Sequence, residues 1–282
     1  MTRVGVLGAG AMGSLFAWAL ASRTAHEVWL FARAPGFADV AVEGHEPVAV
    51  RVTDRPAGPV DLLIVLVKAY ATADALRWAE GAVGPETVAL TLQNGLGNAE
   101  ALAAVCGAGR VLAGTTALGA TLLGPGRVRL GGLGPTVIAP WGGGAAPGVA
   151  PGAASGTAPV TAPVLAAHVA ALLNEAGFPT EVRPDPLPLL WGKLAVNCGI
   201  NALSAILRVP NGELVERPGA RRLLEAAARE AAQVAAASGV ILDGDSGARA
   251  VAVARATAAN RSSMLQDVER GRPTEIDAIN GA

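Results

Sequence analysis

Cysteine is scarce in this 282-residue chain: Cys106 and Cys198 are its two thiols, and both stand in apolar surroundings. Two thiols cannot build the dense cross-linked framework of a small secreted domain, so they read as reduced, buried side chains of a cytoplasmic protein. An excess of either charge is also missing. Lys plus Arg number 22 against 23 for Asp plus Glu, a formal net charge of -1, which leaves no basic sheath for nucleic acid and no acidic tail. Long hydrophobic runs are absent too. No stretch reaches the roughly 18 uninterrupted apolar residues of a membrane span, and the N-terminal VGVLG is too short for a signal sequence and leads straight into glycines. The expected partner is therefore a small molecule, with no nucleic acid and no membrane, and any charge it carries must be met locally. No metal site is expected, and the chain is expected to act as a monomer or homodimer.

What is present is ample apolar material, 51% of the residues, enough for one large domain or two modest ones. In the first half, short Val/Leu/Ile runs alternate with amphipathic segments: RVGVLG, AMGSLFAWALAS, EVWLFAR, DLLIVLV, TVALTLQNG and RVLAGTT. Continuous apolar strands joined by helical crossovers predict an α/β fold with a parallel, doubly wound sheet covered on both faces. RVRLGG and PTVIAP read as a hairpin added to that sheet. From Gly142 to Pro163 the composition is almost wholly Gly, Ala, Pro, Ser, Thr and Val, which predicts a flexible surface insertion to which no function is assigned. Beyond it come helical patterns: Leu187 to Leu207, a second over GARRLLEAAAREAAQVAAASG, and a third over SGARAVAVARATAANRSSMLQDVERG, closed by Gly271 and Pro273. The expected division is a nucleotide-binding domain over 1–183 and an all-α domain over 184–282.

VGVLGAGAMG places Gly8, Gly10 and Gly13 in a G-x-G-x-x-G pattern between the first strand and the first helix. The first glycine permits the tight turn, the second lets the backbone approach a pyrophosphate, and the third allows close helix–strand packing, with the helix N-terminus facing the phosphates. This makes the first domain Rossmann-type. At the end of the second strand, where NAD-binding proteins carry a carboxylate for the ribose hydroxyls, LFARAPG offers Arg33 instead. An arginine there suits a 2′-phosphate and so NADP, the alternative being a plain solvated strand-end residue. Lys68 follows LLIVLV and Asn94 follows VALTLQ, so both are expected on the carboxyl edge of the sheet, where open α/β folds bind ligands.

The helical run WGKLAVNCGINALSAI poses a different question. At about 100° per residue, Lys193, Asn197, Asn201 and Ser204 fall within an arc of roughly 80°, among apolar neighbours. A solvent strip would favour Glu, Lys, Arg and Gln, whereas mid-helix Asn gives up about 0.7 kcal/mol against Ala. The stripe therefore reads as the lining of a cleft, one ammonium and two carboxamides able to grip and polarise an oxygen-rich small molecule. Further on, Glu275 follows Pro273 and Thr274 and is expected in the first turn of a short helix, where the helix dipole favours a carboxylate whatever its role. Ser263 could be an ordinary helix-surface serine.

GAGAMG, VKAY, QNGLGN, GTT, KLAVNCGINALSAI, NGEL and SSMLQDVERGRPTEIDAING, in this order and spacing, resemble the ketopantoate reductase (2-dehydropantoate 2-reductase) family over nearly the whole chain. The lysine–asparagine helix and the C-terminal motif are far more specific than the glycine turn. The resemblance implies reduction of ketopantoate to pantoate by NADPH, a step toward pantothenate and coenzyme A. It implies that Lys193 donates the proton to the ketone oxygen, that Asn197, Asn201 and Asn211 hold the substrate, and that Ser263 binds its carboxylate. Glu275 would contact the bound ligands near Lys193, and Asn94 both ligands. The glycine turn (Gly8, Ala9, Gly10, Ala11, Met12, Gly13), Arg33, Lys68 and Ala120 would bind NADPH. In the family another helical segment often follows the ING motif, a departure expected to bear on stability and oligomeric contacts rather than chemistry. Two influences on the Lys193 amine oppose each other: desolvation lowers its pKa from about 10.4, and a nearby Glu275 raises it. Two other functions stay open, a reductase of a different 2-keto acid and a non-catalytic NADPH sensor.

Overall fold

The computed structural model describes residues 2–142 and 162–282, so the Gly/Ala/Pro-rich stretch expected as an insertion lies almost wholly outside the described residues. Two compact units emerge, divided after Pro186. The second unit comprises Leu187–Ala282 together with Asn94–Gly97, and the first comprises the rest.

The first unit contains β1 (Arg3–Leu7), α1 (Ala11–Arg23), β2 (Glu27–Phe31), β3 (Asp39–Val42), β4 (Val48–Ala49), β5 (Arg51–Thr53), β6 (Leu62–Val65) and α2 (Thr72–Trp78). It continues with β7 (Val88–Thr91), α3 (Asn98–Cys106), β8 (Val111–Thr116), β9 (Gly119–Gly124), β10 (Arg127–Gly132), β11 (Thr136–Pro140), α4 (Ala162–Glu175) and β12 (Thr180–Val182). Eight strands form one sheet in the order β12-β11-β8-β7-β6-β1-β2-β5. Every pair in it is parallel except β8 with β11. Strands β6 and β7 are buried at every position, as expected of strands covered on both faces.

A second sheet, β4-β3-β10-β9, was not expected, and it corrects the hairpin reading. RVRLGG pairs with β9 and β3, whereas TVIAP crosses back to lie antiparallel to β8 in the large sheet. The actual hairpin joins β9 to β10 through Pro125 and Gly126, and Gly126 has φ 66°, the Pro-Gly turn in which only glycine fits the third position comfortably. Helix α1 packs against β1 and β2 of the large sheet and against β3, β9 and β10 of the small one. Residues Gly13 to Leu20 are all buried in consequence, which is why AMGSLFAWALA has no polar face.

The second unit contains α5 (Leu187–Leu207), α6 (Asn211–Glu216), α7 (Pro218–Ala237), α8 (Ser246–Ala256), α9 (Ser263–Glu269) and α10 (Ile276–Ile279). By length and composition α5 could cross a bilayer; here it packs against α7, α8 and α9, which accounts for its apolar faces. The single helix expected from Ser246 to Gly271 is instead broken into α8 and α9. The break has a hydrogen-bonding reason. The carbonyls of Ala258 and Asn260 accept from the N–H groups of Gly212 and Asn211 at 3.0 Å each, so the loop satisfies donors at the start of α6 that its own helix cannot. Ser262 then caps α9, its Oγ accepting from Leu265 N–H at 3.1 Å.

Candidate active site

In the first unit the glycine turn takes the form its sequence predicts, and its three glycines act differently. Gly8 has φ 113°, a conformation L side chains rarely adopt, and its N–H donates to Phe31 O at 3.1 Å, fixing the turn against the end of β2. At Gly13 a Cβ would land on the carbonyl oxygen of Gly8, so α1 starts against the turn itself. At Gly10 a Cβ would meet nothing within 4 Å. Gly10 is the N-cap of α1 and has no side chain to bond the first-turn N–H groups, which by helix geometry lack intrahelical partners. A 13-residue helix thus opens toward free space with donors outward, an arrangement that fits a pyrophosphate. Ala9 and Met12 pack on the core while Ala11 is half-buried.

Arg33 is exposed just beyond β2 and makes no ion pair with a described residue. Lys68 is half-buried after β6. Ala120 lies opposite Leu130 in the small sheet, packed against the core of this unit. A buried network that the motif reading passed over holds the strand ends. Gln93 Nε2 donates to Val67 O and to Thr72 Oγ1, each at 2.8 Å, and Thr72 Oγ1 bonds Asn98 Oδ1 at 3.0 Å. The residues just before Lys68 and Asn94 are thereby tied to each other. Gln93 lies within QNGLGN, but nothing in a linear pattern says that its side chain is buried.

The second unit gathers the rest: Asn94, Lys193, Asn197, Asn201, Asn211, Ser263 and Glu275. The stripe on α5 is not a solvent strip. Lys193 and Asn197 are half-buried, Asn201 is buried, and Ser204 is fully so. Glu275 is buried at the N-cap of α10, one residue earlier than the expected first turn. Its helix is held beside α5 by two bonds around Cys198: the thiol donates to Ile279 O at 3.4 Å, and Asn280 Nδ2 donates to Cys198 O at 3.3 Å. Leu96 N–H donates to Ala278 O at 3.2 Å, laying the Asn94 turn along the same short helix. Asn211 donates from Nδ2 to Thr257 Oγ1 at 2.9 Å. Its Oδ1 is buried without a partner among the described residues.

The contest over the Lys193 amine is decided. Burial lowers its pKa to about 8, and the Glu275 carboxylate pulls it back only in part. Burial disfavours the charged form by more than the Glu275 carboxylate restores it. An amine poised near working pH can be protonated and still give up its proton, the property a general acid needs. The two thiols move the other way: burial raises both, Cys198 to about 11, so neither is a ready nucleophile. No His/Cys/Asp/Glu cluster fit for a metal occurs among the described residues.

A Rossmann-type sheet with this glycine turn, followed by a helical unit presenting a depressed lysine amine beside carboxamides, defines the class of pyridine-nucleotide-dependent oxidoreductases. Two family models match, ketopantoate reductase PanE/ApbA over residues 4–143 and its C-terminal counterpart over residues 187–282. The chain belongs to the ketopantoate reductase family. It is 38% identical to the 2-dehydropantoate 2-reductase of Halobacterium salinarum, over 99% of this chain and 90% of that protein. Among solved structures it is similar to a PanE/ApbA family ketopantoate reductase from Ralstonia eutropha, with TM-score 0.82 and 31% identity over 99% of this chain and 89% of that one. It is also similar to D-mandelate dehydrogenase in a ternary structure with NADH and anilino(oxo)acetate, with TM-score 0.83 and 26% identity over the same shares.

Proposed function

We propose that this chain reduces 2-dehydropantoate to pantoate with NADPH as hydride donor. The observation that carries the proposal is the Lys193 amine, brought down to about 8 and facing Glu275, on the helix stripe that also bears Asn197 and Asn201. The glycine turn at the start of α1 would hold the pyrophosphate, Arg33 the 2′-phosphate, and Lys68, Asn94 and Ala120 further parts of the dinucleotide. When bound, the reduced nicotinamide supplies the hydride. Charge that develops on the ketone oxygen is stabilised by the Lys193 ammonium, which then hands that oxygen its proton. Asn197, Asn201 and Asn211 hold the substrate through carboxamide donors and acceptors, and Ser263 receives its carboxylate. The direct test is loss of nicotinamide absorbance on addition of ketopantoate; NADPH binding without oxidation would point to a sensor instead.

The pH dependence follows from Lys193. As a general acid it must be protonated, so kcat/KM is expected to hold below pH 8 and to fall through a single ionisation near pH 8. Because Glu275 raises that pKa, Glu275→Gln should move the falling limb to lower pH. A limb that stays in place would separate the carboxylate from the amine.

Cofactor choice has its own test. Arg33→Ala is expected to weaken NADPH binding about tenfold while leaving NADH binding nearly unchanged, because the guanidinium meets only the 2′-phosphate. Equal loss for both would assign Arg33 to packing. A second reading, reduction of a different 2-oxo acid, is favoured by the likeness to D-mandelate dehydrogenase. A panel of 2-oxo acids ranked by kcat/KM separates the two.

A further inference from the structure

Ser204 is the fourth member of the α5 stripe and the one without a place in the proposed chemistry. It is wholly inaccessible to solvent, so its hydroxyl must be satisfied from within. Its Oγ lies 2.6 Å from Ser262 Oγ and 3.0 Å from the carbonyl oxygen of Asn201, and Ser262 Oγ accepts from Leu265 N–H at 3.1 Å. One proton arrangement satisfies every group: Leu265 N–H donates to Ser262, the Ser262 hydroxyl donates to Ser204, and the Ser204 hydroxyl donates to the Asn201 carbonyl. The chain of bonds runs from the first turn of α9 to the turn of α5 that carries Asn201. Ser262 immediately precedes Ser263, and Asn201 is one turn from Asn197.

We propose that Ser204 and Ser262 form a positioning pair that sets the start of α9, and with it Ser263, against Asn197 and Asn201, thereby fixing where the substrate carboxylate sits relative to the carboxamides. The inference rests on the proposed reading of Ser263, Asn197 and Asn201 as the oxo-acid site. Neither serine touches substrate. Ser204 acts by receiving the Ser262 hydroxyl, and Ser262 by capping α9 and bonding Ser204 at once. A cap alone needs no partner on α5, and an i to i−3 bond alone needs no partner on α9; the short buried contact between them joins the two elements.

The test is a double-mutant cycle on the full chain with Ser204→Ala, Ser262→Ala and the double variant, each checked for folding by circular dichroism. Ser204→Ala leaves the cap on Leu265 intact and removes only the tie. The expected result is a KM for the oxo acid raised about tenfold with kcat little changed, as for lost substrate binding, and a Kd for NADPH unchanged. The double variant should be no worse than the poorer single one, and Ser262→Thr, which keeps cap and hydroxyl, should restore KM. Lowered thermal stability with an unmoved oxo-acid KM, or additive single effects, would overturn the pair. If Ser204→Ala does not fold, Ser204→Cys, whose sulfur is a poor acceptor for the Ser262 hydroxyl, is read by the same criteria. A wild-type protein that turns over no 2-oxo acid overturns the reading beneath this inference, and the inference with it; an active wild type with an unshifted variant overturns the inference alone.

Discussion

Lys193→Ala is expected to lower kcat/KM for the oxo acid by about 10²- to 10⁴-fold, the range general acids contribute. The loss should fall mainly on kcat, because the ammonium meets the oxygen most strongly once hydride transfer has put charge there. Dinucleotide affinity, read by fluorescence titration, should be unchanged, and the falling limb near pH 8 should disappear from the residual activity. Unimpaired activity would remove Lys193 from the chemistry and leave its depressed pKa as a by-product of burial. Glu275→Gln complements the test, since it alters the same amine without deleting it.

The second large effect is a contrast between two glycines three residues apart. Gly13→Ala would drive a methyl onto the Gly8 carbonyl, a backbone group that cannot swing aside, with α1 pinned between two sheets. Overpacking of this kind costs about 3 kcal/mol, so the urea midpoint should fall sharply and dinucleotide binding should fail with the fold. Gly10→Ala meets no protein atom within 4 Å, and alanine at an N-cap costs at most about 1 kcal/mol. That variant should unfold close to the parent midpoint yet lose at least about tenfold, or ~1.4 kcal/mol, of NADPH affinity, because its methyl enters the space proposed for the pyrophosphate. Equal stability losses in the two variants would show that the space above Gly10 is not kept open for a ligand.

Much of the first unit can be read from the residues because its signals are local. Continuous apolar runs such as LLIV give strands buried on both faces, whereas α1, expected among the amphipathic segments, is covered on every side. What covers α1 was not legible. The small sheet is made of short strands far apart in sequence, with β3 paired to β10, and a strand of four to six residues does not name its neighbour. The Pro125-Gly126 turn was a local sign of the hairpin, outweighed by the two apolar runs on either side of the later glycines.

The site divides in the same way. The Lys193–Asn197–Asn201–Ser204 line is fixed by helical period alone, since 100° per residue holds wherever the helix is placed. The glycine turn and the absence of a carboxylate at Arg33 are likewise read directly from the residues. Tertiary structure alone decided how deeply each group is buried, and hence that the amine falls to about 8 rather than being held up by Glu275. It also decided that Ser204 bonds Ser262 across 58 positions and that Asn94 belongs to the helical unit. Desolvation and hydrogen bonding depend on which atoms crowd a group from every direction. A sequence specifies the neighbours along the chain, and folding supplies the others.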